Sequence, residues 1–212
     1  MGLARKLGVM GGTFDPIHFG HLAIAEEART ALDLDQVLFV PAGRPWFKAE
    51  DPVTDPAHRL TMVELAVEPN THFIASGIEV ERPGSTYSID TIAQLADENG
   101  PDTELYLLLG VDALMEFHRW RDPKRVLEMA RVVGLSRPGV GGFDSERIDE
   151  AVPGASERIV LLDGPSIDIS GVEIRRRVTA GRSIRYLVPD AVEDYIRRQR
   201  LYQPDEKEHD GG

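Results

Sequence analysis

GGTFDPIHFGHL, residues 11–22, is the stretch on which the reading of this chain turns. A short apolar run, 7–10, leads into Gly11 and Gly12 as a β-strand leads into a turn. Pro16 follows, and a helical pattern then begins around two histidines three residues apart, His18 and His21. Glycine tolerates positive φ and admits close approach to the backbone, so the N–H groups of such a turn ahead of a helix make an anion site. Residues three apart share a helical face, which turns both imidazoles toward the carboxyl end of the strand, with Gly20 keeping that face open. A tight turn followed by a solvated helix end is the plainer reading of the same residues. The string has no P-loop lysine, which argues against a Walker-type ATPase.

Outward from this stretch, apolar β-branched runs at 37–40, 105–109, 132–135 and 159–162 alternate with helical patterns at 21–32, 56–68, 88–98, 123–129, 170–180 and 190–199. That alternation predicts an α/β fold, a Rossmann-like doubly wound parallel sheet with flanking helices. Asp55 before Pro56 reads as an N-cap with proline at the first helical position, and Asn99 before Gly100 reads as a stop. The glycine- and proline-rich stretch 137–157 has weak periodicity and is expected to be a variable surface excursion. Residues 204–212 are polar and are expected to form a disordered acidic tail, leaving 1–203 as one domain.

Composition narrows the function classes. A chain of 212 residues with 42% hydrophobic content suffices for one sizeable core. It holds no cysteine, which removes disulfide frameworks, thiolate zinc sites and cysteine nucleophiles. The formal net charge of -12 argues against a nucleic-acid surface, which needs a basic face. A local basic cluster can still hold a small phosphorylated ligand, because distant carboxylates are screened over about 8 Å at physiological salt. The start of the chain has no signal-type apolar region and no apolar run long enough to span a bilayer, so a cytoplasmic protein without a membrane partner is expected.

A second stretch, DISGVEIRRR at 168–177, has Ser170 and Glu173 at capping-box spacing, which marks a helix start whether or not a ligand binds there. An apolar strand, a Gly-Pro turn and this helix start would also bring backbone N–H groups and Arg175 to the same sheet edge. Arginine can grip two phosphate oxygens at once. Successive helical residues point in different directions, so Arg176 and Arg177 are expected in surface ion pairs.

The two stretches together resemble the nucleotidyltransferase superfamily, whose members carry a His-x-Gly-His element and a later Ile-Ser-x-x-x-Ile-Arg motif, matched here by Ile169, Ser170, Ile174 and Arg175. From Gly8 to about Tyr202 the chain resembles the bacterial nicotinate-mononucleotide adenylyltransferases, through Pro41 and the loop to Lys48, STYSIDTI, LLLGVDAL, the following tryptophan, SRPG and YIRRQRLY. The resemblance implies an enzyme that transfers the adenylyl group of ATP to nicotinate mononucleotide, forming deamido-NAD and pyrophosphate, with Mg²⁺ accompanying ATP. It implies an ATP site at Gly11, Gly12, Thr13, Phe14, His18, His21, Gly110, Asp112, Ile169, Ser170 and Arg175, with His18, His21 and Arg175 catalytic. It places the acceptor at Lys48, Thr86, Tyr87 and Trp120.

Several of these residues have plainer readings: Asp112 as a helix N-cap, Trp120 as a core or lid residue, Lys48 as a solvated cation. The chain departs from the commoner form at Gly171 and Val172, where further Ser or Thr residues usually stand, and at Phe47, where histidine often precedes the basic residue. Altered affinity with retained function is the expected consequence of Gly171 and Val172, while Phe47 weakens the case for a phosphate contact at Lys48. Adenylyltransferases acting on nicotinamide mononucleotide or phosphopantetheine, and a non-catalytic nucleotide sensor, stay open as alternatives, as does a homo-oligomer.

Overall fold

The computed structural model describes residues 4–44, 53–136 and 145–203. Six strands, β1 (Arg5–Gly12), β2 (Gln36–Pro41), β3 (Phe73–Ala75), β4 (Thr103–Gly110), β5 (Arg131–Ser136) and β6 (Ile159–Asp163), form one sheet in the order β3-β2-β1-β4-β5-β6. Every pairing is parallel. This is the doubly wound order, in which the chain reverses its direction of travel across the sheet between β1 and β4 and opens a crevice beyond their carboxyl ends.

Side chains alternate along each strand, and both faces are buried. Met10, Val37, Phe39, Tyr106, Leu108, Val133 and Leu135 face a core completed by α1 (Phe19–Leu32), α2 (Pro56–Val67), α7 (Gly171–Thr179) and α8 (Asp190–Arg198). Leu7, Val9, Leu38, Val40, Leu105, Leu107 and Leu109 face the opposite core, completed by α3 (Ser88–Asn99), α4 (Val111–Met115), α5 (Pro123–Met129) and α6 (Ser145–Ala151). The expected doubly wound sheet is the observed one.

Local punctuation acts as its chemistry predicts. The Asp55 carboxylate accepts from the Ala57 N–H at 2.8 Å with Pro56 opening α2, and Gly100 ends α3 at φ 75°. The structure adds what weak patterns concealed. β3 is a three-residue edge strand, too short to show a period. The stretch expected to be a surface excursion contains α6, and Ile148, Val152 and Ala155 there are buried in the second core. Residues 137–144 of that excursion, the tail 204–212 and the Phe47–Lys48 pair lie outside the described residues. Among the described residues no helix is long and apolar enough to cross a membrane.

Candidate active site

The loop after β1 turns through Phe14, whose φ of 49° seats its ring in the core at 2% exposure. His18 then serves as the extended N-cap residue of α1, so the helix opens two residues earlier than its apolar pattern suggested. His21 sits at the third helical position, and the two imidazoles stack with centroids 3.7 Å apart. The His18 backbone N–H donates to His21 Nδ1 at 3.3 Å. A ring nitrogen that accepts leaves the proton on Nε2 in the neutral tautomer, so His21 presents a donor on its far side. Phe14 meets the His21 ring edge-on at 5.0 Å and limits its rotation. Gly20 makes room for His18, since a Cβ there would stand 3.0 Å from His18 Nδ1.

Helix α7 approaches the same loop from the far end of the sequence. Ser170 Oγ accepts from the Glu173 N–H at 3.2 Å, the first half of the expected capping box. The Glu173 carboxylate turns away to Arg176 at 2.7 Å and Arg177 at 3.0 Å. Those two guanidiniums hold its pKa down at about 2, and the trio is the surface pairing expected of both arginines. Arg175 points elsewhere: its Nη1 donates to the Asp15 carbonyl at 2.6 Å and lies 3.9 Å from the Asp15 carboxylate.

Two cavities result at the carboxyl end of the sheet. The polar one is lined by Thr13, Phe14, Asp15, His18, His21, Val172 and Arg175. It thus gathers both histidines and the motif arginine. The second, about 260 Å³ and mostly apolar, is lined by Gly11, Gly12, Thr86, Tyr87, Trp120 and Arg121 among others. That volume lies near the lower limit of small-molecule sites and suits one ring-bearing fragment. Thr13 borders both cavities, so they adjoin.

In the second cavity Trp120 is half-buried, its ring 5.4 Å from that of Phe117. Thr86 is 4% exposed, and its Oγ1 has no hydrogen-bond partner among the described residues. An orphaned buried hydroxyl costs stability unless a ligand completes it. Gly110 ends β4, and Asp112 is exposed in the first turn of α4. Gly110 itself is the N-cap of that helix, so the plainer capping role suggested for Asp112 is not the one it has. Ile169 packs against the first core, and Ser170 is exposed at the start of α7.

Sequence reasoning missed three residues. Arg59 is 1% exposed and donates to the carbonyls of Thr13 at 2.7 Å, Thr54 at 2.8 Å and Gly43 at 3.2 Å. It clips the loops after β1 and β2 together, and burial pushes its pKa down against the nearby Asp15 and Glu79. A signal existed: Arg59 shares the α2 stripe with Met62, Val63 and Ala66, where an exposed cation has no place. Arg121 lies over the Tyr87 ring at 4.7 Å, which its position next to Trp120 could have suggested. Glu79, 8% exposed, accepts from Thr91 Oγ1 at 2.7 Å and borders the second cavity; no local pattern marked it.

Comparison with known proteins bears on this geometry. The cytidylyltransferase-like family model matches residues 9–177. A protein of Roseiflexus sp. (strain RS-1) named "Probable nicotinate-nucleotide adenylyltransferase" is 48% identical over 200 residues, covering 94% of this chain and 99% of the relative. One of the same name from Thermomicrobium roseum is 46% identical, covering 93% and 92%. Among solved structures, Plasmodium falciparum nicotinic acid mononucleotide adenylyltransferase complexed with NaAD superposes with a TM-score of 0.74 at 19% identity, over 93% of this chain and 97% of that one. That likeness concerns the fold. The chain belongs to the cytidylyltransferase-like family and, within it, to the nicotinate-nucleotide adenylyltransferases.

Proposed function

We propose that this protein transfers the adenylyl group of ATP to the 5′-phosphate of nicotinate mononucleotide, in a single in-line step. The acceptor phosphate oxygen forms a bond to the α-phosphorus as the bond from that phosphorus to the bridging oxygen of pyrophosphate breaks. The observation that carries the reading is the pair of adjoining cavities at the β1/β4 crevice, one holding two histidines and an arginine, the other an indole beside an orphaned hydroxyl.

Roles follow from this chemistry. The attacking phosphate is ionised near neutral pH and pyrophosphate is a competent leaving group, so alignment and charge stabilisation suffice. His18 and His21 donate to phosphate oxygens, His21 from Nε2 with its ring held against that of His18, and Arg175 with the N–H groups opening α7 holds the leaving phosphates. Thr13 and Phe14 wall the phosphate cavity. Gly11 and Gly12 border the second cavity, where Trp120 stacks on the acceptor ring and the Thr86–Tyr87 segment completes its polar contacts. Gly110, Asp112, Ile169 and Ser170 flank the nucleotide, and Lys48 serves the acceptor from outside the described residues. Among the described residues no cluster of three or more His, Cys, Asp or Glu is placed to hold a metal. Mg²⁺ accompanying ATP would supply charge neutralisation for the leaving phosphates.

The test is dinucleotide and pyrophosphate formation from Mg·ATP with nicotinate mononucleotide, nicotinamide mononucleotide and phosphopantetheine in competition. Dominant turnover of nicotinate mononucleotide is expected. Preference for another acceptor would reassign the second cavity, and ATP binding without any turnover would leave a nucleotide sensor.

A further inference from the structure

We propose that Tyr202 is a positioning residue for the reaction, bracing Arg175 against the phosphate cavity through Asp15 and Thr179. The inference rests on the reading of Arg175 as a phosphate-holding side chain. Arginine loses much rotamer freedom when fixed, so a catalytic arginine needs supports that are themselves immobile. The support of Arg175 is Asp15, by its carbonyl at 2.6 Å and its carboxylate at 3.9 Å.

Asp15 is 7% exposed, and a buried carboxylate stays in place only where donors satisfy it. Tyr202 supplies the shorter of two such bonds: its hydroxyl donates to Asp15 Oδ1 at 2.6 Å, while the Thr54 N–H donates to Oδ2 at 3.2 Å. The other end of Tyr202 is tied as well. Its carbonyl accepts from Thr179 Oγ1 at 2.8 Å, and Thr179 lies one turn beyond Arg175 on α7, its hydroxyl also within 3.0 Å of the Arg175 carbonyl.

Tyr202 therefore joins the same two elements that Arg175 joins, the loop after β1 and helix α7, by a second and parallel route. Its backbone is left-handed, with φ 62°, a conformation that a tyrosine keeps only where the surroundings impose it. Burial and the neighbouring carboxylate push its phenol pKa well up, so the hydroxyl remains a donor throughout the working pH range.

A purely structural role, pinning the segment after α8 against Met62 and the first core, would also explain burial. The two roles separate in a double-mutant cycle, Tyr202→Phe crossed with Arg175→Ala, read as kcat and both KM values for adenylyl transfer to nicotinate mononucleotide. Tyr202→Phe keeps the ring in the core and removes only the hydroxyl. It is expected to lower kcat about tenfold with KM for ATP within about twofold, because a bond to a charged group is lost. In the Arg175→Ala background the same change should alter kcat less than about twofold, since nothing remains to position. Effects that multiply in the double variant would overturn the positioning role while leaving Arg175 in the mechanism. A normal kcat in Arg175→Ala alone would remove Arg175, and the proposal with it. Should Tyr202→Phe fail to fold, Thr179→Val cuts the brace at its other end and goes through the same cycle.

Discussion

Gly171→Ala puts a methyl group where the structure has no room for one. Gly171 opens α7, and a Cβ there would stand 2.8 Å from the Asp15 carbonyl oxygen and 3.3 Å from its carbon. Both are backbone atoms, so relief requires moving the loop after β1, not rotating a side chain. Overpacking of this kind costs about 1–3 kcal/mol, and the reduced freedom of the unfolded chain returns about 0.4–1 kcal/mol. A net loss centred on about 1 kcal/mol and at most about 2.6 kcal/mol remains, and the central value is a fall in Tm of roughly 2–4 °C for a domain of this size.

The displaced carbonyl is also the one that holds Arg175 Nη1. Turnover should therefore fall together with stability, by about fivefold or more if that bond is weakened. Val172 is the control, because it lines the same cavity yet is 66% exposed. Val172→Ser adds a hydroxyl without a clash and should lower KM for ATP about two- to fivefold with Tm nearly unchanged. Thermal melting and steady-state kinetics of both variants give the answer. A Gly171→Ala protein with wild-type Tm and kcat would refute the argument from close approach.

The remaining predictions concern the two cavities. His21→Ala should lower kcat by about 10² or more through loss of a transition-state donor, and near-normal turnover would remove His21 from the mechanism. Trp120→Ala should raise KM for the acceptor with ATP affinity little changed; equal losses for both substrates in binding titrations would contradict ring stacking at that indole. Thr86→Val replaces an orphaned hydroxyl by a methyl of similar size, so Tm should rise, by about 1 kcal/mol of stability, while KM for the acceptor increases. A lower Tm with unchanged acceptor KM would mean that the hydroxyl has no ligand to serve.

What a sequence reveals is what lies close along the chain. The 7–10 run before the glycines, the Asp55–Pro56 cap and the Gly100 stop are read locally because the forces behind them, pleat alternation and the orphan groups of helix ends, act over a few residues. Both nucleotidyltransferase stretches were legible for the same reason: each places its chemistry within a dozen residues. The doubly wound sheet followed from alternating strand and helix patterns, since parallel strands require crossovers. β3 and α6 escaped because three residues carry no period and a glycine-rich lead-in blurs one.

Only the tertiary structure decided which residues share a cavity. Asp15 meets Arg175 across 160 positions and Tyr202 across 187, and no local signal links them. Folding alone sets Arg59 on three carbonyls and leaves Thr86 Oγ1 without a partner among the described residues. It also gives the reason for Gly171, which in the sequence is a missing hydroxyl and in the fold is the space that lets α7 touch the loop after β1. Sequence by itself determined most of the elements, the class of the sheet and the two motifs. The distances at which the motifs act were settled by packing, because close approach is a property of surfaces in contact and not of the order of residues.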